Sequence, residues 1–515
     1  MDESKHIAKV DHDLVATQMT DYDAKIDGAE QADRQEREQS IWSALKQHRK
    51  AVAWSAFLSA SLILEGYDLV IINSFYGQNQ FIEKTIIGLA INGWASQRFG
   101  YRRTMLAAMA FMAAAIFPVF FAPSLPVLAF GEVMCGIPWG IFQTLSTAYA
   151  ADICPISLRP LLTSYVNMCW GFGILLSSGV ARGAIDLDGS LAYKLPFALQ
   201  WVWPPILFAG AYFCPESPYW LVRNGKQEEA FCSLQRLSGS GDTTQEELRD
   251  RLALIEHTDA IEQAQVAGTT YLDCFRGVNR RRTEIACAVW ATQWWCGNPL
   301  IGFAVTFLRQ SGLSEKAAFD FNLGMNSMYF VGTIISWGLM SRFGRRSLYI
   351  AGLVIMMVIC VAIAVAGFTD TPLVVGILMI ILNLGYNVSI GPVCYCIVAE
   401  IGSARLRPMT VVLARTTYNL TGLVTNTITP RMIQPSEWGW GARCGLFWFG
   451  TAGLCLIYCF FRLPETKGRS FAEIDLLFEN KIGARHFSKT NVDQFDNHTS
   501  LGGEGDRQDS STEKA

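Results

Sequence analysis

The sequence predicts an all-α membrane protein of twelve transmembrane helices in two six-helix bundles, with the second helix truncated. Three observations predict it. Charged residues make up 17% of the 515 and hydrophobic residues 51%, whereas soluble domains carry about 25% charged residues. The charges crowd into the two ends and a few short loops. What lies between is apolar runs of roughly 20 residues, the length a helix needs to cross a bilayer core. Three short motifs also recur in the second half of the chain, in the same order and at nearly one offset.

Residues 1–50 are polar and charged with no early apolar stretch, so no secretory signal is read there. The segment reads as a disordered cytosolic tail. Apolar runs follow near 51–76, 85–96, 104–122, 126–150, 162–181 and 195–214, and they make the N-terminal bundle, 51–214. The stretch 215–283 carries Lys226, Glu228, Glu229, Arg236, Glu246, Glu247, Arg249, Asp250 and Arg251. It is helix-friendly but too charged for lipid, and it reads as a cytosolic connector. Runs resume near 284–307, 318–340, 347–368, 372–399, 409–432 and 441–462, the C-terminal bundle of 284–462. Residues 463–515 form a second cytosolic tail, which reads as disordered from about 483.

Orientation follows from the placement of Lys and Arg, which favour cytosolic loops. Arg49 and Lys50 precede the first run, and Arg98, Arg102 and Arg103 follow the second. Arg159 follows the fourth, Arg276 and Arg280 to Arg282 precede the seventh, and Arg342, Arg345 and Arg346 follow the eighth. Arg405 and Arg407 follow the tenth, Lys467 and Arg469 the twelfth. The other connections carry single cations, so both termini are expected in the cytosol.

The repeats are specific. Arg98-Phe99-Gly100-Tyr101-Arg102-Arg103 recurs as Arg342-Phe343-Gly344-Arg345-Arg346, with the glycines 244 residues apart. Ala151-Asp152 through Leu158-Arg159-Pro160 recurs as Ala399-Glu400 through Leu406-Arg407-Pro408, and Pro215-Glu216-Ser217 as Pro464-Glu465-Thr466. Parallel duplication of a six-helix unit is a transporter signature.

With these motifs, and with PETKGRSFAEIDLLF after the last run, the chain resembles a major facilitator superfamily protein of the sugar porter family over roughly residues 45–482. Within that family it is similar to the fungal maltose/α-glucoside permeases, through GYDLVIINSFYG at 66–77, CGIPWGIFQTL at 135–145, SYVNMCW at 164–170 and AEIGSARLRP at 399–408. The resemblance implies the MFS fold, with one site between the bundles that opens alternately to either side. It also implies symport of a sugar, maltose or α-glucoside-like, with a proton.

Three constellations carry the chemistry. At the cytosolic helix ends, Asp152, Glu216, Glu400 and Glu465 face Arg98, Arg102, Arg159, Arg342, Arg346, Arg405 and Arg407 in the expected topology. Ion pairs there would hold the inside shut; the alternative is that the arginines only fix topology. Gln97 and Ser341 stand where the common facilitator pattern has Asp, which weakens or rewires that lock.

Asp68 lies inside the first run, where an ionised carboxylate costs several kcal/mol, and such a residue faces a cavity or exchanges protons. The resemblance makes it the proton site. Glu132 stands where many relatives have an Arg, so two carboxyls share the neighbourhood. The alternative for Glu65 and Glu132 is the interface or a bond between helices.

At the midplane, Gln293, Trp294 and Asn298 in the seventh run offer amides for hydroxyls and an aromatic face for sugar C–H surfaces, beside Gly297 and Pro299, which break a helix. Asn326, Asn383, Asn387, Asn419 and Asn426 add amides, each with helix–helix hydrogen bonding as its alternative. In the fifth run, Gly173 is followed by Ile174, where many sugar porters have Gln.

Between residues 77 and 88, where the resemblance implies an extracellular loop and the first half of the second helix, Phe75-Tyr76-Gly77 runs almost straight into Thr85-Ile86-Ile87-Gly88. The apolar stretch 85–96 spans about 18 Å as helix against a core of about 30 Å. No P-loop, nucleotide fingerprint or metal-ligand spacing is present, so neither an enzyme nor a cofactor is expected, and a net charge of −3 excludes a nucleic-acid binder. The expected partners are a sugar, protons and the lipid bilayer, for a monomer expected in the plasma membrane. The competing reading is a non-transporting sugar receptor or an inactive truncated isoform.

Overall fold

The computed structural model describes residues 28–36, 38–71, 91–155, 157–184, 191–238, 244–265, 270–304, 314–369, 371–403 and 406–490, which contain helices and no strand. Its helices fall where the apolar runs lie. The first span is Arg49–Ser59 continued by Ser61–Ile71. The second is helical over 91–99, while its beginning lies outside the described residues. Tyr101–Phe120, Leu125–Ile153 and Arg159–Ala184 follow as third to fifth, and the sixth is split into Leu191–Gln200 and Trp203–Phe213. The seventh runs Gly277–Trp295 and restarts at Pro299–Gly302. The eighth and ninth are Glu315–Arg342 and Arg345–Phe368. The tenth is Pro372–Val388 plus Ile390–Ile401, the eleventh Arg407–Ile433 and the twelfth Gly445–Arg462.

Among the described residues, five of these spans are long and apolar enough to cross a bilayer on composition alone: the third, fourth, ninth, tenth and twelfth. Most of the others are broken in two or carry the polar side chains that the interior uses. Two breaks matter for the site. Gly297 adopts φ +99°, a left-handed turn that an L side chain resists, and Pro299 starts the next helical turn with its φ already fixed. Ser389 interrupts the tenth span with φ −129° and ψ −79°.

One core gathers around Met105, Met109, Trp139 and Phe142 in the first half, and a second around Tyr349, Met356, Ile363 and Trp448 extends across to Leu62, Ile63, Val166 and Cys169 of the first half. Large apolar side chains also point outward, as Val358, Leu454 and Phe461 do, and these suit a lipid surround. The first and fifth spans touch backbone to backbone. A Cβ on Gly66 would lie 2.1 Å from the Trp170 carbonyl oxygen, and one on Gly173 2.1 Å from that of Ile63. Small residues permit this approach in membrane helices, which gives Gly173 a packing role of its own.

The tails differ from the sequence reading. Residues 28–36 and Ile41–Gln47 are helical, because this stretch finds a partner in the connector. Ala29 and Ala32 pack on Leu254, and Arg251 reaches both Glu36 (3.3 Å) and His48 Nδ1 (3.2 Å). The connector helices Pro218–Arg223, Gln227–Leu237 and Gln245–Gln265 share a small core of Leu221, Val222, Ala230, Leu234, Leu248 and Ile255. After the twelfth span, Phe471–Glu479 is a helix held at its start by a Ser470/Glu473 capping box, a signature present in the sequence as S-x-x-E. Phe487, expected in a disordered tail, is fully buried against Phe478.

Candidate functional site

Four spans from both halves meet on one guanidinium. Arg415, in the eleventh span, is buried; its Nε donates to Gln143 Oε1 of the fourth (2.7 Å) and its Nη2 lies 3.5 Å from Glu65 Oε1 of the first. Gln143 Nε2 donates to the same Glu65 oxygen at 2.5 Å. The guanidinium also lies 4.5 Å from the Trp290 ring of the seventh span and 4.3 Å from that of Tyr418. A carboxylate, an amide and two aromatic faces thus compensate a charge that the interior would otherwise expel. The sequence reading missed Arg415 and Gln143 and saw in Glu65 only a helix contact. The signal was there: an arginine inside an apolar run falls under the same argument as Asp68.

One turn along from Glu65, Asp68 is fully buried and accepts a hydrogen bond from Gln200, at the break in the sixth span. Its other oxygen and both oxygens of buried Glu132 have no hydrogen-bond partner among the described residues.

The midplane residues separate into two groups. Gln293 accepts from the Tyr386 hydroxyl (3.0 Å) and donates to the Gly391 carbonyl (3.5 Å), tying the seventh span to the tenth at its break. Trp294 lies tilted on Tyr418 with ring centroids 5.1 Å apart, and its indole N–H has no acceptor among the described residues; the same holds for the Asn419 side-chain nitrogen. Gln293 and Trp294 thus join Arg415, Trp290, Tyr386 and Tyr418 in one neighbourhood. Asn326 donates to Ser178 Oγ (3.0 Å) and ties the eighth span to the fifth, whereas Asn387 donates one turn back within its own span to Asn383 (2.8 and 2.9 Å), and its side-chain oxygen has no partner among the described residues. Asn298 sits at the break as the cap of Pro299–Gly302, without a side-chain cap bond.

At the connector end the duplicated motifs make duplicated contacts. Glu216 accepts from the backbone N–H of Tyr101 (2.8 Å) and Arg102 (3.2 Å), and Glu465 from that of Arg345 (2.8 Å). Each carboxylate therefore caps the positive end of a helix. A Cβ on Gly100 or Gly344 would lie 2.4 or 1.9 Å from that carboxylate, which is why both motifs carry glycine there. Burial pushes the Glu216 carboxyl above its ordinary value, against the pull of these backbone donors. Ser217 Oγ donates to Asp152 (3.1 Å), and Thr466 Oγ1 to Glu400 (2.5 Å).

Beyond this symmetry, Arg345 Nη2 donates to Glu400 (3.1 Å) within the second half, whereas Arg407 Nη1 donates to Asp152 (2.5 Å) across the halves, both side chains 1% exposed. Arg159 and Arg407 each stack 3.6 Å from the Phe471 ring centroid. Arg98 and Arg342 are exposed, Arg102 lies over Tyr212 (5.4 Å) and Arg346 donates to the Phe460 carbonyl (2.8 Å). Arg405 lies outside the described residues. Sequence reasoning did not pick out Arg345, Ser217, Thr466 or Phe471 for this cluster.

The geometry has counterparts among known proteins. The profile of the family described as "Sugar (and other) transporter" matches residues 84–478. The maltose permease MAL31 of Saccharomyces cerevisiae is 38% identical, over 92% of this chain and 83% of the relative. A general alpha-glucoside permease of the same organism is 37% identical over 94% and 85%. In fold, the chain is similar to the proton:xylose symporter XylE bound to 6-bromo-6-deoxy-D-glucose (TM-score 0.72, 22% identity, 84% of this chain and 99% of that one). It is also similar to the inward-open form of XylE from E. coli (TM-score 0.62, 20% identity, 83% and 99%). With relatives this similar along nearly its whole length, and a matching all-α fold among the described residues, the chain belongs to the family of sugar (and other) transporters.

Proposed function

We propose that this sugar transporter carries maltose or a related α-glucoside together with a proton, by alternating access. The observation that carries the reading is its 37–38% identity, over 92–94% of the chain, to yeast proteins named for maltose and α-glucosides. The buried amide and aromatic groups of Gln293, Trp294, Tyr386 and Tyr418 suit a polyol, whose hydroxyls need donors and acceptors and whose ring faces need flat apolar surface. Asp68 and Glu132, a carboxyl pair with open oxygen atoms, are the proton site, since such a pair readily shares one proton. Glu65 and Arg415 link that site to the opposite bundle. Asp152–Arg407 is the gate, on the cytosolic side together with both termini, and the protein acts as a monomer in the plasma membrane.

The test is uptake of labelled maltose, other α-glucosides and hexoses by a transporter-null yeast expressing the chain, with and without an imposed proton gradient. Accumulation of an α-glucoside that collapses with the gradient supports the proposal. Surface expression without uptake of any sugar favours the second reading, a receptor or inactive shortened form, for which the brief second span speaks.

A further inference from the structure

The basic side chains that the transport site does not use gather where the twelfth span ends. That helix turns an apolar face outward through Leu454, Ile457, Phe460 and Phe461, and Arg462 follows at once. Arg280 and Arg281 arrive from the start of the seventh span, Arg346 from the start of the ninth, and Arg485 from the tail. Arg485 lies 4.4 Å from the Phe460 ring centroid and 4.7 Å from that of Phe461, with Arg346 5.7 Å from the former.

Glu284 is the carboxylate set against these groups. Its oxygens are taken by Arg462 (2.6 and 3.2 Å) and by the Tyr458 hydroxyl (3.1 Å). Arg281 donates to the Ile482 carbonyl (2.8 Å) but lies close enough to Arg462 to be repelled by it. The Nε atoms of Arg281 and Arg346 have no acceptor among the described residues. Positive charge therefore exceeds negative at one spot, and that spot is the rim of an exposed apolar face.

We propose that this rim binds the headgroup phosphate of an anionic phospholipid, with its acyl chains along Leu454, Ile457, Phe460 and Phe461. Guanidinium forks match phosphate oxygens in geometry and charge, and clustered arginines beside a membrane helix recognise anionic headgroups. A free phosphate would use the arginines and leave the apolar face unexplained. A lipid uses both.

The full chain, reconstituted in phosphatidylcholine nanodiscs with or without a minor fraction of phosphatidylserine, tests this by native mass spectrometry of the lipids retained on detergent extraction. Phosphatidylserine should be retained over phosphatidylcholine, less so as salt rises. Each of R281Q, R346Q and R485Q should weaken retention about fivefold, and the triple Lys variant, which keeps the charge and loses the forks, should retain more than the triple Gln variant and less than the parent. Arg485 has the two exposed rings as its recorded partners, so R485Q reads out binding without disturbing the core. Equal retention of the two lipids, or an R485Q protein that binds as the parent does, would overturn the assignment. So would a rise in thermal midpoint with inorganic phosphate, in phosphatidylcholine discs, that equals the one phosphatidylserine gives.

Discussion

Asp68 and Gln293 are the side chains on which single-atom changes are most informative. In Asp68→Asn the side-chain carbonyl still accepts from Gln200, so packing is kept while the exchangeable proton is lost. Uphill accumulation should disappear and downhill exchange of sugar persist; equal accumulation by the variant across an imposed pH gradient would end the proton role. Gln293→Ala leaves the buried Tyr386 hydroxyl without its acceptor, a cost of about 1–3 kcal/mol. Sugar affinity should fall more than surface expression. Unchanged affinity at normal expression would reduce Gln293 to a packing residue. Asp68 was legible because a carboxylate in an apolar run is conspicuous, and Gln293 because it stands beside a helix breaker. Arg415 is as conspicuous as Asp68, but its role depends on Glu65 and Gln143, which lie 350 and 272 residues away along the chain. No local pattern encodes such a meeting.

At the scale of elements, the described helices fall on the apolar runs, and the breaks at Gly297 and Pro299 could be read from residue type. The docked tail could not, since residues 28–48 are polar and become ordered only against Leu254 and Arg251. His48 makes that docking sensitive to acid. Burial, with Arg251 beside it, lowers its pKa from 6.5 to about 3, so the folded state favours the neutral ring. The stabilisation is complete above about pH 6.5 and is lost progressively as pH falls toward 3, amounting to about 2 kcal/mol by pH 5. Hydrogen exchange over residues 28–48 should therefore quicken between pH 7 and pH 5, and His48→Gln should flatten that change. The second span is a further element-scale test. A run of 12 apolar residues must thin the bilayer or draw in Glu83 and Lys84, at a cost of a few kcal/mol. Adding roughly 15–20 residues before Thr85, enough for a full span and a short loop, should raise transport per surface molecule. Equal transport by both forms would show that the short span suffices.

Over the described residues, the ion pairs that join the halves at the two ends differ in burial. Arg182 and Asp320 link the halves at the far end through a pair that is 26% and 62% exposed, worth at most about 1 kcal/mol. At the connector end, Asp152 and Arg407 are shut away from water, and removing one partner of such a pair costs about 3–5 kcal/mol. Asp152→Asn should therefore shift the protein toward the form open at the connector end, read by thiol labelling of cysteines placed along that face. Asp320→Asn should leave the labelling unchanged, and similar responses from the two variants would remove the asymmetry.

The duplication visible in the sequence foretold matching helix ends, and it is at Phe471 that the match fails. This ring comes from the C-terminal tail and has no counterpart after the first half. Two guanidiniums cannot occupy one position 3.6 Å from a ring centroid, so Arg159 and Arg407 must lie on opposite faces, one from each half. When the halves separate, a single phenyl ring can travel with only one of them. An opening between the halves would leave Phe471 with one arginine and take it from the other, so the two copies of the duplicated unit would not open as equivalents.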